Sequence, residues 1–166
     1  MKNIFILIGG ASSGKTTIIK NLSKSRYSKI GDILLAKRDS SPQERSKFCH
    51  FEDEVIPKIK DMLRITNNKA KKEKIENYAL IIPFTLQVEN GELGTNCIIK
   101  PLEYLKSLSD YNIYLIYLNR DEKRLKEVNN FIENNINPTL TLISNDGDKQ
   151  ADNTKKLKEF IISKFN

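Results

Sequence analysis

Residues 3–8, Asn3-Ile4-Phe5-Ile6-Leu7-Ile8, form a short, uninterrupted, largely β-branched run. Such a run predicts a strand buried on both faces, as in a parallel sheet. Further runs of the same kind occupy 78–82, where Pro83 is expected to end the strand, 113–118 and 139–143. A shorter extended stretch at 27–30 leads into Gly31-Asp32, and 33–39 reads as a short helix or a loop. Between these runs the spacing changes to three and four. Residues 14–24 read as a helix. Ser41-Pro42-Gln43-Glu44 offers a cap, a first-position proline and a capping box. Behind it, Phe48, Phe51, Val55, Ile59, Met62 and Leu63 form a one-sided apolar stripe, which Pro57 is expected to kink or divide. The polar stretch 66–76 reads as a solvated helix end or mobile loop, and 84–93 as a loop at the carboxyl edge of the sheet. Helices are predicted over 101–108, over 121–134 with Leu125, Val128 and Ile132 inward, and over 153–164 with Leu157, Phe160 and Ile161 inward. Residues 145–148 read as a turn.

Counting 27–30, the order is βαβαβαβαβα. This predicts a single α/β domain, a doubly wound parallel sheet of about five strands with helices on both faces. Ligands of such sheets sit at the carboxyl ends of the strands. The segments 9–17, Asp32, 83–85, 119–124 and 144–148 are therefore expected around one cleft.

Between the first strand and the first helix lies Gly9-Gly10-Ala11-Ser12-Ser13-Gly14-Lys15-Thr16, a complete G-x-x-x-x-G-K-[ST] phosphate loop, or Walker A motif. The glycines let the backbone curl so that several N–H groups point at one place. The start of the following helix adds a positive end. Gly9, Gly10, Ala11, Ser12, Ser13, Gly14, Lys15, Thr16 and Thr17 are thus the expected nucleotide-binding residues. Lys15 would reach the outer phosphates and the Thr16 hydroxyl would ligate magnesium. ATP is the expected donor, with GTP left open. A Gly/Ser turn that merely ends in Lys-Thr is the alternative.

Composition narrows this picture. The chain has 166 residues, 39% of them hydrophobic, enough for one sizeable core. No run approaches the roughly 18 apolar residues of a membrane span. Met1-Lys2 leads directly into the first strand, so no signal peptide is read and a cytoplasmic location is expected. Cys49, Cys97 and His50 show no metal-ligand spacing and no disulfide framework. The net charge of +7, from 28 basic and 21 acidic residues, reads as a lysine-rich surface rather than a nucleic-acid interface. In particular, the cluster at 69–74 has no interleaved aromatic residue and reads as a solvated linker. Nothing in the sequence indicates an oligomeric state.

Translation-type GTPases need a base-reading Asn-Lys-x-Asp after a late strand, and Asn145-Asp146-Gly147-Asp148 lacks the lysine. Small P-loop kinases remain. The segment 5–19 resembles the opening of the chloramphenicol phosphotransferase-like kinases. That resemblance implies an acceptor-activating carboxylate at the end of the second strand, matched here by Gly31-Asp32. It also implies a charged lid helix with spaced arginines, matched by Tyr117-Leu118-Asn119-Arg120-Asp121-Glu122-Lys123-Arg124. A second resemblance is to guanylate kinases, through residues 37–44 and 89–95.

On these readings Lys15, Asp32, Arg120 and Arg124 are the candidate catalytic residues, and Thr16 and Asp32 the candidate magnesium ligands. Asp32 is equally readable as a helix cap. Arg120 and Arg124, four apart, are equally readable as surface ion-pair residues. Many such kinases hold magnesium with an acidic residue at the end of the third strand, and 81–85 has none. The expectation is therefore phosphoryl transfer from ATP to a small-molecule hydroxyl or nucleotide. A guanylate-type nucleoside monophosphate kinase, a nucleotide-binding regulator without transfer activity and a polynucleotide 5′-kinase are the alternatives.

Overall fold

The computed structural model describes residues 1–10, 13–38, 52–89, 92–94, 96–119, 139–143 and 147–166. Its elements are β1 (Lys2–Gly10), α1 (Lys15–Leu22), β2 (Tyr27–Ile30), β3 (Ile33–Lys37), α2 (Glu52–Lys72), β4 (Tyr78–Glu89), β5 (Glu92–Gly94), α3 (Asn96–Lys106), β6 (Asn112–Asn119), β7 (Thr139–Ile143) and α4 (Gly147–Ser163). Five strands run parallel in the order β3-β4-β1-β6-β7. β2 adds antiparallel to β3, and β5 antiparallel to β4.

β1 is the hub. Residues 3–9 are all buried, because β1 has a neighbour on each side and a helical layer on each face. Ile4, Ile6 and Ile8 face one layer, with Ile59, Met62 and Leu63 of α2 and Leu102 and Leu105 of α3. Phe5 and Leu7 face the other, with Ile18 and Ile19 of α1 and Leu157 and Ile161 of α4. Each such aliphatic or aromatic side chain contributes about 1.5–3 kcal/mol on full burial. The distribution of helices follows from right-handed crossovers. The step from β1 to β3 runs one way along the sheet and carries α1. The steps from β3 to β4 and from β4 to β6 run the other way and carry α2 and α3 on the opposite face. Connections therefore leave β1 and β4 toward different faces, which opens a crevice beyond their carboxyl ends.

The structure corrects several expectations. Residues 33–37 are neither helix nor loop: they are a fully buried strand, and this strand, not 27–30, is the second parallel member of the sheet. Gly31, with φ +61°, and Asp32 form the tight turn that returns β2 onto it. Pro57 lies within α2 without dividing it. Of the two readings of 66–76, the helix end holds: α2 continues to Lys72, with Thr66 and Ala70 extending its buried stripe. β4 does not stop at Pro83. Ile81 turns its carbonyl to the Arg38 N–H on the β3 side. Alternation puts the missing N–H of Pro83 on that same side, where β3 has already ended. Beyond it, 84–93 contains the rest of β4 and most of β5, not a loop. α3 begins at Asn96, before the expected Pro101, and α4 at Gly147, before the expected residue 153. The expected helix 121–134 and the capping box at Ser41 lie outside the described residues.

The amino edge of the sheet is tied by polar contacts. The amino-terminal ammonium donates to the Glu76 carbonyl at 2.9 Å and to Asn77 Oδ1 at 2.8 Å. Buried Asn3 donates to the Lys164 carbonyl and accepts from Asn112 Nδ2. The Tyr78 hydroxyl donates to Asn67 Oδ1 at 2.8 Å, and Asn67 Nδ2 donates to the Tyr111 oxygen at 2.8 Å. Burial pushes the Tyr78 hydroxyl pKa well up.

The lysine cluster at 69–74 is a helix end, not a linker. Lys69 pairs with Glu73 at 2.6 Å and holds that carboxyl below its usual range. The Ile75 N–H reaches the Ala70 carbonyl and the Lys74 N–H the Lys71 carbonyl, with Ile75 packed near Ala70. This is a Schellman cap, and its left-handed position is Lys74, at φ +55°. A side chain there costs about 1 kcal/mol. Lys74→Gly should therefore raise Tm by about 2–4 °C in a chain of this size. An unchanged or lower Tm in a thermal melt would refute the assignment.

Candidate functional site

β1 ends between β4 and β6, and the loop starts there. Gly9 is buried, and a Cβ at that position would lie 2.6 Å from Ser13 Oγ and 2.9 Å from the Leu118 carbonyl. Only a glycine lets the loop fold back this tightly. At Gly10 nothing lies within 4 Å of the corresponding point, so that flank is open. The Ser13 N–H donates to the Gly10 carbonyl at 3.3 Å, closing the turn. Gly14 is the N-cap of α1, in the left-handed region at φ 89°. The N-cap Gly14 offers no side-chain cap, and no acidic residue stands in the first turn of α1. The positive end of such a helix favours an anion.

Lys15 is folded back across this turn. Its Nζ donates to the Gly9 carbonyl at 2.8 Å, the Gly10 carbonyl at 2.6 Å and Ser13 Oγ at 3.2 Å. The residue is only 7% exposed. Thr16 is half-buried on the first turn of α1, and Thr17 is exposed. Gly9, Gly10, Ser13 and the start of α1 thus surround one lysine ammonium. These residues fit a polyphosphate: the lining is backbone and glycine on one flank, and the charge is positive.

The other expected site residues do not all join it. Ala11, Ser12, Arg120 and Arg124 lie outside the described residues. Asp32 is placed at the wrong edge. Leu34 pairs with Tyr78, and Tyr78 with Lys2, so β3 starts level with the start of β1. Gly9 lies seven residues farther along β1, about 23 Å away at 3.3 Å per residue. The Asp32 carboxylate accepts instead from Asn77 Nδ2 at 3.4 Å, at the amino edge. It caps no helix either; it belongs to the β2–β3 turn. Its assignment as general base and magnesium ligand is therefore withdrawn, and with it the match to a carboxylate ending the second strand. That strand ends instead in buried Lys37 and half-buried Arg38.

The third-strand expectation also changes in detail. β4 runs on to Glu89, so its first carboxylate stands three residues beyond Leu86, the partner of Gly10. Level with Gly9 on β4 is Thr85. Among the described residues no group of three or more His, Cys, Asp or Glu side chains converges on one point. No helix among them is long and apolar enough to cross a membrane.

Compared with known proteins, the chain matches no family model and no curated protein sequence.

Proposed function

We propose that the chain is a P-loop phosphotransferase, binding ATP at residues 9–17 and passing its γ-phosphate to a small-molecule or nucleotide acceptor. The observation that carries this reading is the loop itself. A turn admitting no side chain at Gly9 is followed by a left-handed glycine at a helix N-cap and a lysine drawn back onto the turn, at the carboxyl end of the central strand. The parallel strand order, in chain sequence second-third-first-fourth-fifth, supports it by opening the crevice beside that loop. Phosphoryl transfer relies on positioning and charge neutralisation. Backbone N–H groups and Lys15 supply both for the donor phosphates, and Thr16 offers a hydroxyl to magnesium. β3 ends in two basic residues, Lys37 and Arg38, and a nucleotide acceptor is therefore kept beside a neutral one.

The test is transfer of label. Purified protein, γ-labelled ATP, magnesium and a fractionated metabolite extract should yield a new labelled compound. Lys15→Ala should yield none, and Asp32→Asn should yield it at the parent rate, since Asp32 sits at the far edge. Equal transfer by Lys15→Ala would overturn the reading. A second reading, a nucleotide-binding regulator, is favoured by the absence of a carboxylate on β4 beside the loop. ATP-dependent stabilisation with no movement of label would select it.

A further inference from the structure

A cavity of about 380 Å³ opens at the amino edge of the sheet, the edge remote from the phosphate loop. Its volume is that of a small-molecule site. Two segments line it. The β2–β3 hairpin contributes Lys29 and Asp32, and the connection from α2 to β4 contributes Lys74, Ile75, Glu76 and Asn77. Each segment thus brings one ammonium and one carboxylate. Their partners within the protein are few. Ile75 packs with Leu34, Ala70 and Tyr78 and anchors the connection. On either side of it, the Lys74 ammonium and the Glu76 carboxylate make no hydrogen bond or ion pair with another described residue. Asp32 receives one long hydrogen bond, 3.4 Å from Asn77 Nδ2. Lys29 stands 3.6 Å from Glu73, a carboxylate that Lys69 already holds at 2.6 Å.

Lys74 also stands on a strained backbone. Its φ of +55° is the sole left-handed one of a non-glycine among the described residues, and a glycine would be more stable there. Strain of this kind collects at ligand sites. A lysine held at such a position beside a cavity, with its charge unmatched, serves binding rather than the fold. The lining then selects the ligand. A simple anion would meet Asp32 and Glu76, and a simple cation would meet Lys29 and Lys74. A zwitterion avoids both conflicts, its carboxylate turned to the lysines and its ammonium to the carboxylates. We propose that this cavity binds a free α-amino acid, at a site separate from the phosphate loop and independent of the phosphotransferase reading. The lining charges are exposed, so the affinity is low, in the millimolar range.

The experiment follows the amide NMR shifts of the labelled full chain while free α-amino acids are added one at a time at millimolar concentration. With at least one of them, the amides of Gly31, Asp32, Ile75 and Asn77 should move along saturable curves while those of Gly9 and Gly14 stay in place. Two analogues of that amino acid, one lacking the ammonium and one lacking the carboxylate, should each bind about tenfold more weakly, since each leaves two lining charges unmatched. Lys74→Gly relieves the strained position and keeps the fold, yet should weaken binding about fivefold, the loss of one exposed ion pair. Lys74→Arg should restore the parent affinity, and Glu76→Gln should weaken binding as Lys74→Gly does. Lys15→Ala should bind the amino acid as the parent does, whatever it does to ATP. Curves that never saturate for any amino acid, or parent affinity in Lys74→Gly or in Glu76→Gln, would overturn the proposal. Equal binding of either analogue would overturn it too, making the cavity a plain anion or cation site.

Discussion

Gly9→Ala should destabilise the protein by about 1–3 kcal/mol, the cost of forcing an extra methyl into a close-packed position. The added Cβ meets Ser13 Oγ at 2.6 Å and the Leu118 carbonyl at 2.9 Å. The serine side chain can rotate, but its oxygen is also an acceptor for Lys15. The carbonyl belongs to β6 and cannot move without disturbing the β1–β6 ladder. Relief of one contact therefore damages another. Gly10→Ala is the matched control. It adds the same methyl one residue later, where nothing lies within 4 Å, and its φ is not in the left-handed region. Its effect should stay within about 0.5 kcal/mol, as for an uncrowded surface change. Denaturant melts of the two variants give the comparison directly. Equal stabilities would mean that the loop is looser than its geometry, and that the requirement for glycine at the first motif position is not steric.

The central strand and the phosphate loop were legible in the sequence because both signals are local. An unbroken β-branched run needs burial on both faces, and a Gly-Lys-Thr placed after it needs a turn. What misled was punctuation. Gly31-Asp32 is a two-residue hairpin signal between two short extended runs, and Asn90-Gly91 is another. Read as the end of a parallel strand, the first put Asp32 at the carboxyl edge; as a hairpin turn it puts Asp32 at the opposite one. Read as a loop, the second hid the extension of β4 past Pro83. Pro83 itself reads as a stop, because whether a neighbouring strand is present on its N–H side is a tertiary fact. How deeply the end of α2 is buried is a tertiary fact in the same way. Thr66 and Ala70 are weakly apolar, and only packing shows that they continue the stripe.

Lys15→Ala should remove nucleotide-dependent stabilisation while leaving a folded protein. In the parent, magnesium and ATP at about 100 times Kd should add about 2.7 kcal/mol of stability. The loss of charge-assisted contacts to the outer phosphates, worth about 1.5–3 kcal/mol, lowers affinity by roughly a hundredfold. At the same ATP concentration the gain then falls to about 0.4 kcal/mol. The fold survives because the core around β1 and α1 does not include Lys15, and the Gly10 carbonyl it leaves is only partly buried and can take water. Lys15→Arg separates charge from shape. A guanidinium keeps the positive charge, but its planar fork does not fit a point surrounded by three acceptors within 3.2 Å. If the loop works by a compact ammonium at its centre, Lys15→Arg should respond to ATP as weakly as Lys15→Ala. If it works by net charge alone, Lys15→Arg should keep most of the response. Full stabilisation of Lys15→Ala by ATP would reduce the motif to a turn that starts a helix.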